Sequence, residues 1–191
     1  MKAALLALGT IALLAQQPAG GLVQPPGTLA AGPLVDARDH QALLLGETTG
    51  KAILAHRPVF REHLAKVKLS AEVKARWLAV HHPFTLVVVF GSWCGDSHFQ
   101  LPELLALDAH PNPFIEVRYI GVNRDKVAQA SAWPEGCAPQ QVVRVPTFYL
   151  FATQPGGPQK LVGSLVENPP RAGQTMGAAL VELIEGAGKV L

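Results

Sequence analysis

The chain has little charge, few aromatic residues and almost no cysteine. Charged residues make up 16% and aromatic residues 6% of its 191 residues, and its formal net charge is only +2. This charge is too small, and its Lys and Arg residues are too scattered, to indicate a nucleic-acid partner. Two cysteines permit at most one internal disulfide, which excludes a disulfide-rich scaffold. The apolar fraction of 49% excludes an intrinsically disordered chain and predicts one domain with a hydrophobic core.

Sequence patterns that bind metals, phosphates or cofactors are also missing. The seven histidines do not recur at the spacing of a zinc site, and no glycine-rich phosphate loop follows a predicted strand. A Ser-His-Asp arrangement is not recognisable either. The sequence therefore predicts neither a metal nor a cofactor, and its chemistry is expected to rest on ordinary side chains.

The first nineteen residues have the three-part pattern of a secretory signal peptide. Lys2 precedes an apolar run over residues 3–15, and small and polar residues follow up to Ala19. The run is shorter than the roughly 20 residues of a membrane span, although a retained signal anchor is the alternative. We predict a signal peptide over residues 1–19 and a Gly- and Pro-rich linker over residues 20–34. The protein is expected to be exported to the periplasm, with no membrane contact after cleavage.

The apolar pattern divides the rest of the chain into two parts. Residues 35–82 favour helices, with a break at Pro58 and a capping residue at Ser70, and are predicted to form a helical N-terminal extension. Residues 83–191 are predicted to alternate strands and helices in the order β-α-β-α-β-β-α. A strand–helix–strand unit followed by a hairpin predicts an α/β fold with a mixed central sheet and helices on both faces.

Cys94 is the strongest candidate for a catalytic residue, because it lies where the first predicted strand ends and the next helix begins. Unpaired backbone N–H groups and the positive end of the helix dipole at such a position favour negative charge on the sulfur, which is the reactive form of a thiol. Ser97, one turn on, is placed to donate its hydroxyl to the same sulfur, whereas an ionised Asp96 opposes the thiolate. Trp93 is placed to shield one side of the thiol. A buried and inert cysteine is the alternative.

Two motifs around this cysteine resemble those of the thioredoxin family. The run Trp-Cys-Gly-Asp-Ser at 93–97 resembles the family's active-site turn, and Val-Pro-Thr at 145–147 resembles its loop with a cis-proline facing the sulfur. The resemblance implies a thioredoxin-like three-layer fold. It also implies that Trp93, Val145 and Pro146 contact the substrate, which would pair with the backbone of Val145 as an added strand. An ordinary trans-proline opening an edge strand is the alternative.

Two positions depart from the pattern of typical thioredoxins. Ser97 stands where the family has the second cysteine of Cys-x-x-Cys, which resolves the mixed disulfide. Val88 stands where the family has a buried aspartate that assists this second thiol. Both departures argue against a dithiol reductase and imply a single attacking thiol whose mixed disulfide is resolved from elsewhere.

Cys137 and His98 are the other candidates for a role at this site. Cys137 lies in a Pro- and Gly-rich stretch and is a candidate resolving thiol, with a spectator thiol or a structural disulfide to Cys94 as the alternatives. His98 opens the helix after Cys94 and is a candidate modulator of the thiol, with a solvated surface histidine as the alternative. The run at 124–126, Arg-Asp-Lys, is interpreted as a solvated turn.

The sequence therefore predicts a monothiol thioredoxin-like protein that exchanges disulfides through Cys94 outside the cytoplasm. Its expected partners are protein or small-molecule thiols and disulfides. The alternative function is a non-catalytic binding module of thioredoxin fold, with the N-terminal helices as its interaction surface.

Overall fold

The computed structural model describes residues 34–154 and 156–190. The predicted signal peptide over residues 1–19 lies outside these residues, as does all of the predicted linker except Leu34. Within the two described ranges, no helix is both long and apolar enough to cross a membrane.

The described residues contain five strands, five α-helices and one short 3₁₀ helix. The strands are β1 (Gly46–Thr48), β2 (Phe84–Phe90), β3 (Ile115–Gly121), β4 (Thr147–Ala152) and β5 (Lys160–Val166). The helices are α1 (Gly50–His56), α2 (Pro58–Leu64), α3 (Ala71–Leu78), α4 (Gly95–Asp108) and α5 (Met176–Gly188). The 3₁₀ helix spans Ala130–Ala132.

The five strands form one mixed sheet in the order β1-β3-β2-β4-β5. β2 runs parallel to β3, and the other three pairs are antiparallel. All seven residues of β2 are buried, because this central strand is covered on both faces of the sheet. The α/β fold with a mixed sheet and flanking helices, which the sequence predicts, is confirmed.

The two faces of the sheet are covered by different kinds of structure. Leu86, Val88 and Phe90 of β2 pack into an apolar cluster to which all five α-helices contribute. Val87 and Val89 point to the other face, where the segment between β3 and β4 supplies the cover. Prolines and glycines interrupt this segment, so the second helix of the predicted order is only the single 3₁₀ turn. The layer on this face is therefore mostly irregular.

The sequence predicts that the N-terminal extension is helical, but only the part after β1 forms helices. The side chain of Asp36 accepts hydrogen bonds from the backbone N–H groups of Arg38 and Asp39, at 2.8 and 3.2 Å, and this local bonding favours a turn over a helix. His40 follows with a positive φ of 56°. β1 then pairs antiparallel with β3 and adds a fifth strand that the sequence does not predict.

The helical part of the extension begins after β1. Pro58 separates α1 from α2, and the Ser70 hydroxyl caps α3 by accepting the N–H of Val73 at 3.1 Å. Phe60 and Trp77 from these helices are buried in the same cluster as α4 and α5. The boundaries predicted for the extension and for the following domain stay a prediction.

Candidate functional site

Cys94 is the N-cap residue of α4 and follows the turn that leaves β2. Its backbone N–H donates to the Gly91 carbonyl at 3.0 Å, and its carbonyl accepts from the N–H of His98 at 3.1 Å. Its side chain is partly exposed and forms no disulfide. Because the amides of the first helical turn have no partner within the helix, they lie ready to stabilise negative charge at this end. The structure thus puts the thiol where the sequence predicts a reactive cysteine.

The loop at Val145 and Pro146 faces this thiol. The peptide bond between these two residues is cis, as the resemblance to the thioredoxin family implies. The Cys94 thiol donates to the Val145 carbonyl, with 3.2 Å between Sγ and O. Two candidate residues that are 51 positions apart in the chain therefore meet at one point. Their contact with a substrate stays a prediction.

Ser97 supports the turn rather than the sulfur. Its side chain is fully buried, and its Oγ accepts the backbone N–H of Gly91 at 3.3 Å. Within the described residues it makes no hydrogen bond to Cys94 Sγ, which differs from the expected donation to the thiol. The physical reason is that the buried Gly91 N–H needs an acceptor, and the Ser97 hydroxyl is the one that reaches it.

The Trp93 indole makes three contacts with the surrounding chain. Its Nε1–H donates to the Val122 carbonyl at 3.0 Å, and the guanidinium of Arg124 lies 4.5 Å from the centroid of its ring. A Cβ added at Gly91 would lie 2.7 Å from the indole, so the ring packs directly on the backbone there. The ring is consequently a rigid neighbour of Cys94.

Residues 124 and 125 lie in the turn that the sequence predicts, and Asp125 is exposed, but the Arg124 side chain is ion-paired and only partly exposed. Its Nε and Nη2 donate to the two carboxylate oxygens of Asp36, at 2.7 and 3.0 Å. The hydrogen bond from Arg124 holds the pKa of Asp36 at about 2, below its ordinary value of 3.8. The sequence carries no signal for this pair, because its members are 88 residues apart and neither lies in a recognisable motif.

His98 contacts the turn before Cys94 and not the sulfur itself. Its Nε2–H donates to the Ser92 carbonyl at 2.8 Å, and its ring meets Phe60 edge-on with 5.0 Å between centroids. Burial lowers the pKa of His98 below its usual value, which favours the neutral ring at pH 7. It is therefore neither the solvated histidine considered as the alternative nor a direct hydrogen-bond partner of the thiol.

Asp96 is exposed in the first turn of α4, where its charge suits the helix dipole.

Cys137 is a buried free thiol on the same face of the sheet as Cys94. Its side chain is 4% exposed and packs in the cluster that contains Val87 and Trp133, against which Cys94 also packs. Burial, with a smaller contribution from the charge of Glu116, raises the pKa of Cys137 to about 11. The internal disulfide considered as an alternative is not formed, since both cysteines are free.

A family model described as thioredoxin matches residues 50–152, which is more than half of the chain. The chain belongs to the thioredoxin family. The match includes the Cys94 turn, the Pro146 loop and the helices α1, α2 and α3, but it begins after Asp36.

Two solved structures are similar to this chain. The crystal structure of an HIV epitope-scaffold is 19% identical and has a TM-score of 0.52, with 74% of this chain and 93% of that chain covered. A protein of unknown function from Pseudomonas aeruginosa is also 19% identical, with a TM-score of 0.48 and with 75% and 87% covered. No curated protein matches the sequence. At this identity the first likeness supports the fold alone.

The residues around Cys94 divide into two groups. The Cys94 thiol bonds to the Val145 carbonyl, directly before cis-Pro146. Ser97, His98 and Trp93 instead hydrogen-bond to the backbone of Gly91, Ser92 and Val122, respectively. The arrangement provides one accessible thiol on a rigid support.

Proposed function

We propose that this protein is an extracytoplasmic monothiol member of the thioredoxin family, which exchanges disulfides through Cys94. The observation that carries the proposal is the position of a free, partly exposed thiol at the N-cap of α4, 3.2 Å from the carbonyl that precedes cis-Pro146. A helix N-terminus favours the thiolate, and partial exposure lets a disulfide reach it.

The proposed reaction begins when Cys94 loses its proton to solvent and its thiolate attacks one sulfur of a substrate disulfide. A bond forms between Cys94 Sγ and that sulfur, the substrate S–S bond breaks, and the other half leaves as a thiolate. The carbonyl of Val145 is then freed from the thiol, and we propose that it pairs with the bound segment beside Pro146.

Release of the substrate needs a second thiol. The Ser97 hydroxyl does not form a disulfide, and it is engaged with Gly91. Cys137 stays a candidate resolving thiol, but its burial and raised pKa of about 11 leave it almost entirely protonated at neutral pH. We therefore propose an external thiol, either a small-molecule thiol or a second cysteine of the substrate protein. Its thiolate attacks the mixed disulfide, forms a new disulfide with the substrate sulfur and returns Cys94 as a thiolate.

The proposed location rests on the sequence of residues 1–19, with its charged start and short apolar run. Cell fractionation tests it, with the mass of the mature chain as the readout. A periplasmic protein that lacks about its first nineteen residues supports export. A full-length protein in the cytoplasm would overturn it.

A binding module is the second candidate, and one observation favours it. Cys94 has no resolving partner on its own helix, because position 97 is a serine whose hydroxyl is tied to the turn. A mixed disulfide on such a site is long-lived when no external thiol reaches it, so the protein would hold a partner rather than turn it over.

A turnover assay separates the two candidates. The substrate is a peptide disulfide that joins a fluorophore to a quencher, and glutathione is added as the external thiol. Exchange predicts repeated turnover that depends on glutathione and is lost in Cys94→Ser, whereas Cys137→Ser keeps the wild-type rate. A single burst without turnover supports the binding module, and an unchanged rate in Cys94→Ser rejects Cys94 as the nucleophile.

A further inference from the structure

The turn before Cys94 is held by a segment that precedes the part of the chain matched by the family model. Residues 34–43, which we name the N-terminal hairpin, are closed by backbone bonds from Asp36 N to Gln41 O at 2.8 Å and from Leu43 N to Leu34 O at 2.7 Å. The family match begins at residue 50. The hairpin therefore lies outside the part of the chain that the family model matches.

Asp36 links this hairpin to the end of β3. Its side chain is 1% exposed and accepts four hydrogen bonds, two from backbone N–H groups of its own turn and two from Arg124. A buried carboxylate is tolerated only when its oxygens are satisfied in this way. The pair with Arg124 is bidentate, which fixes the plane of the guanidinium as well as its position.

Arg124, which Asp36 holds in place, in turn contacts the Trp93 ring. Its guanidinium lies on the indole, and the Trp93 Nε1–H is bonded to the Val122 carbonyl, two residues before Arg124. The ring also packs against the backbone of Gly91. For the indole to rotate away, it would have to lose both the cation–π contact and the hydrogen bond.

The chain that follows the hairpin makes a second contact with the turn before Cys94. The fully buried Ser92 accepts the backbone N–H of Leu44 at 3.2 Å. The Leu44 carbonyl lies against Gly121, where an added Cβ would come within 2.0 Å of the oxygen. The chain on the N-terminal side of β1 thus contacts Ser92 directly and Trp93 through Arg124, and both residues directly precede the thiol.

We propose that Asp36 and Arg124 are positioning residues that hold Trp93 as a fixed wall beside Cys94, so that the thiol admits small or extended disulfides and excludes bulky ones. This inference rests on the proposed exchange at Cys94. It assigns to the N-terminal hairpin a part in substrate selection that the family's own motifs do not carry.

The test compares how fast two reagents alkylate Cys94 in the full-length protein. Iodoacetamide is the small reagent, and a maleimide attached to polyethylene glycol is the bulky one. In Asp36→Asn and Arg124→Lys, we expect the ratio of bulky to small rates to rise about five- to tenfold, the size expected for losing the cation–π contact and the bidentate pair. The iodoacetamide rate itself is expected to stay within about twofold, because the thiol and its helix are unchanged.

Glu185→Gln is the matched control. It removes one carboxylate from a second bidentate pair, in which Arg76 Nε and Nη2 donate to Glu185 at 2.9 and 2.6 Å. This pair links α3 to α5 and does not contact Trp93. The control is expected to leave the ratio unchanged, so a loss of stability alone does not account for the effect.

A double-mutant cycle tests whether Asp36 acts through the indole. In a Trp93→Ala background, Asp36→Asn is expected to have no further effect on the ratio. An equal effect in both backgrounds would overturn the proposal, and so would an unchanged ratio in the Asp36→Asn and Arg124→Lys single variants. Acrylamide quenching gives a second readout. Because Trp77 and Trp133 also emit, the Trp93 signal is taken as the difference from the matching Trp93→Ala protein, and its quenching is expected to increase in Asp36→Asn.

These readouts also separate the inference from the proposed function. Alkylation reports access to Cys94 whether or not the protein exchanges disulfides. If the wild-type protein forms no mixed disulfide while the ratio changes as expected, the proposed function fails and the positioning role stands. If exchange proceeds while the ratio is unchanged in the variants, the positioning role fails and the proposed function stands.

Discussion

The two cysteines share one apolar cluster but differ in what surrounds the sulfur. Cys94 is partly exposed at the start of a helix, and its neighbours Trp93 and Ser97 are tied to the backbone. Cys137 is 4% exposed, and burial raises its pKa to about 11. Two thiols on one face of a sheet therefore do not by themselves make a dithiol site. The environment of each sulfur decides whether it reacts.

The largest expected difference is in the rate of alkylation. At pH 8 a thiol with a pKa of about 11 is a thiolate in roughly one molecule in a thousand, and burial slows the reagent further. We expect iodoacetamide to modify Cys94 at least ~100-fold faster than Cys137 in the native protein, measured by peptide mass spectrometry. In urea the two rates are expected to converge. Similar rates in the native protein would remove the distinction between the two sites.

Ser97→Cys is expected to turn the one-thiol site into a two-thiol site. The new thiol lies one turn from Cys94 in the Cys-x-x-Cys spacing, so an internal disulfide forms under mild oxidation. Release of a mixed disulfide without added glutathione is expected to become at least about tenfold faster, measured by single-turnover fluorescence. Cys137→Ser in the same background is the control and should not slow this release. If release instead depends on Cys137, that buried thiol is a resolving partner after all.

Gly136→Ala is expected to loosen the cover of Cys137. Gly136 has a φ of +81°, a conformation that costs an L-residue about 1 kcal/mol, which corresponds to about a fivefold change in local opening. The alkylation rate of Cys137 should rise by about this factor, while that of Cys94 stays constant. Gly186→Ala, an open position in α5, is the matched control and should change neither rate. An equal rise at both cysteines would mean that the substitution acts on the whole fold.

The smallest expected effect is the pH dependence that Asp36 contributes. The Arg124 hydrogen bond lowers the pKa of Asp36 from 3.8 to about 2, so the folded state favours the carboxylate. The stability from this pair is present in full above about pH 4 and is lost as the pH falls through 2. Urea unfolding should therefore show a gap between wild type and Asp36→Asn that narrows from pH 4 to pH 2. A gap that is constant over this range would mean that Asp36 titrates alike in both states.

Local patterns explain why much of the fold could be predicted. The run Thr85–Phe90 is continuously apolar and β-branched or aromatic, and it forms most of the buried central strand. The turn and helix after it place Cys94 from sequence alone, and the family resemblance adds the cis peptide at Pro146. Lys160–Val166 is a strand with the bounds that its hairpin pattern predicts.

The rest depends on contacts between residues that are far apart in the chain. β1 has only three residues and exists because it pairs with the edge of β3, which no local pattern indicates. Asp36 and Arg124 meet across 88 positions, so neither could be placed at the site in advance. Spacing alone predicts that the Ser97 hydroxyl bonds to the sulfur, because it does not reveal that the Gly91 N–H competes for this hydroxyl.

A measurement of adduct formation tests the central claim most directly. The full-length protein, its Cys94→Ser variant and its Cys137→Ser variant are each treated with glutathione disulfide at pH 8 and analysed by intact mass. We expect one glutathione per chain in the wild type and in Cys137→Ser, none in Cys94→Ser, and full reversal by free glutathione. A bound glutathione that survives in Cys94→Ser, or a Cys94–Cys137 disulfide in place of the adduct, would contradict it.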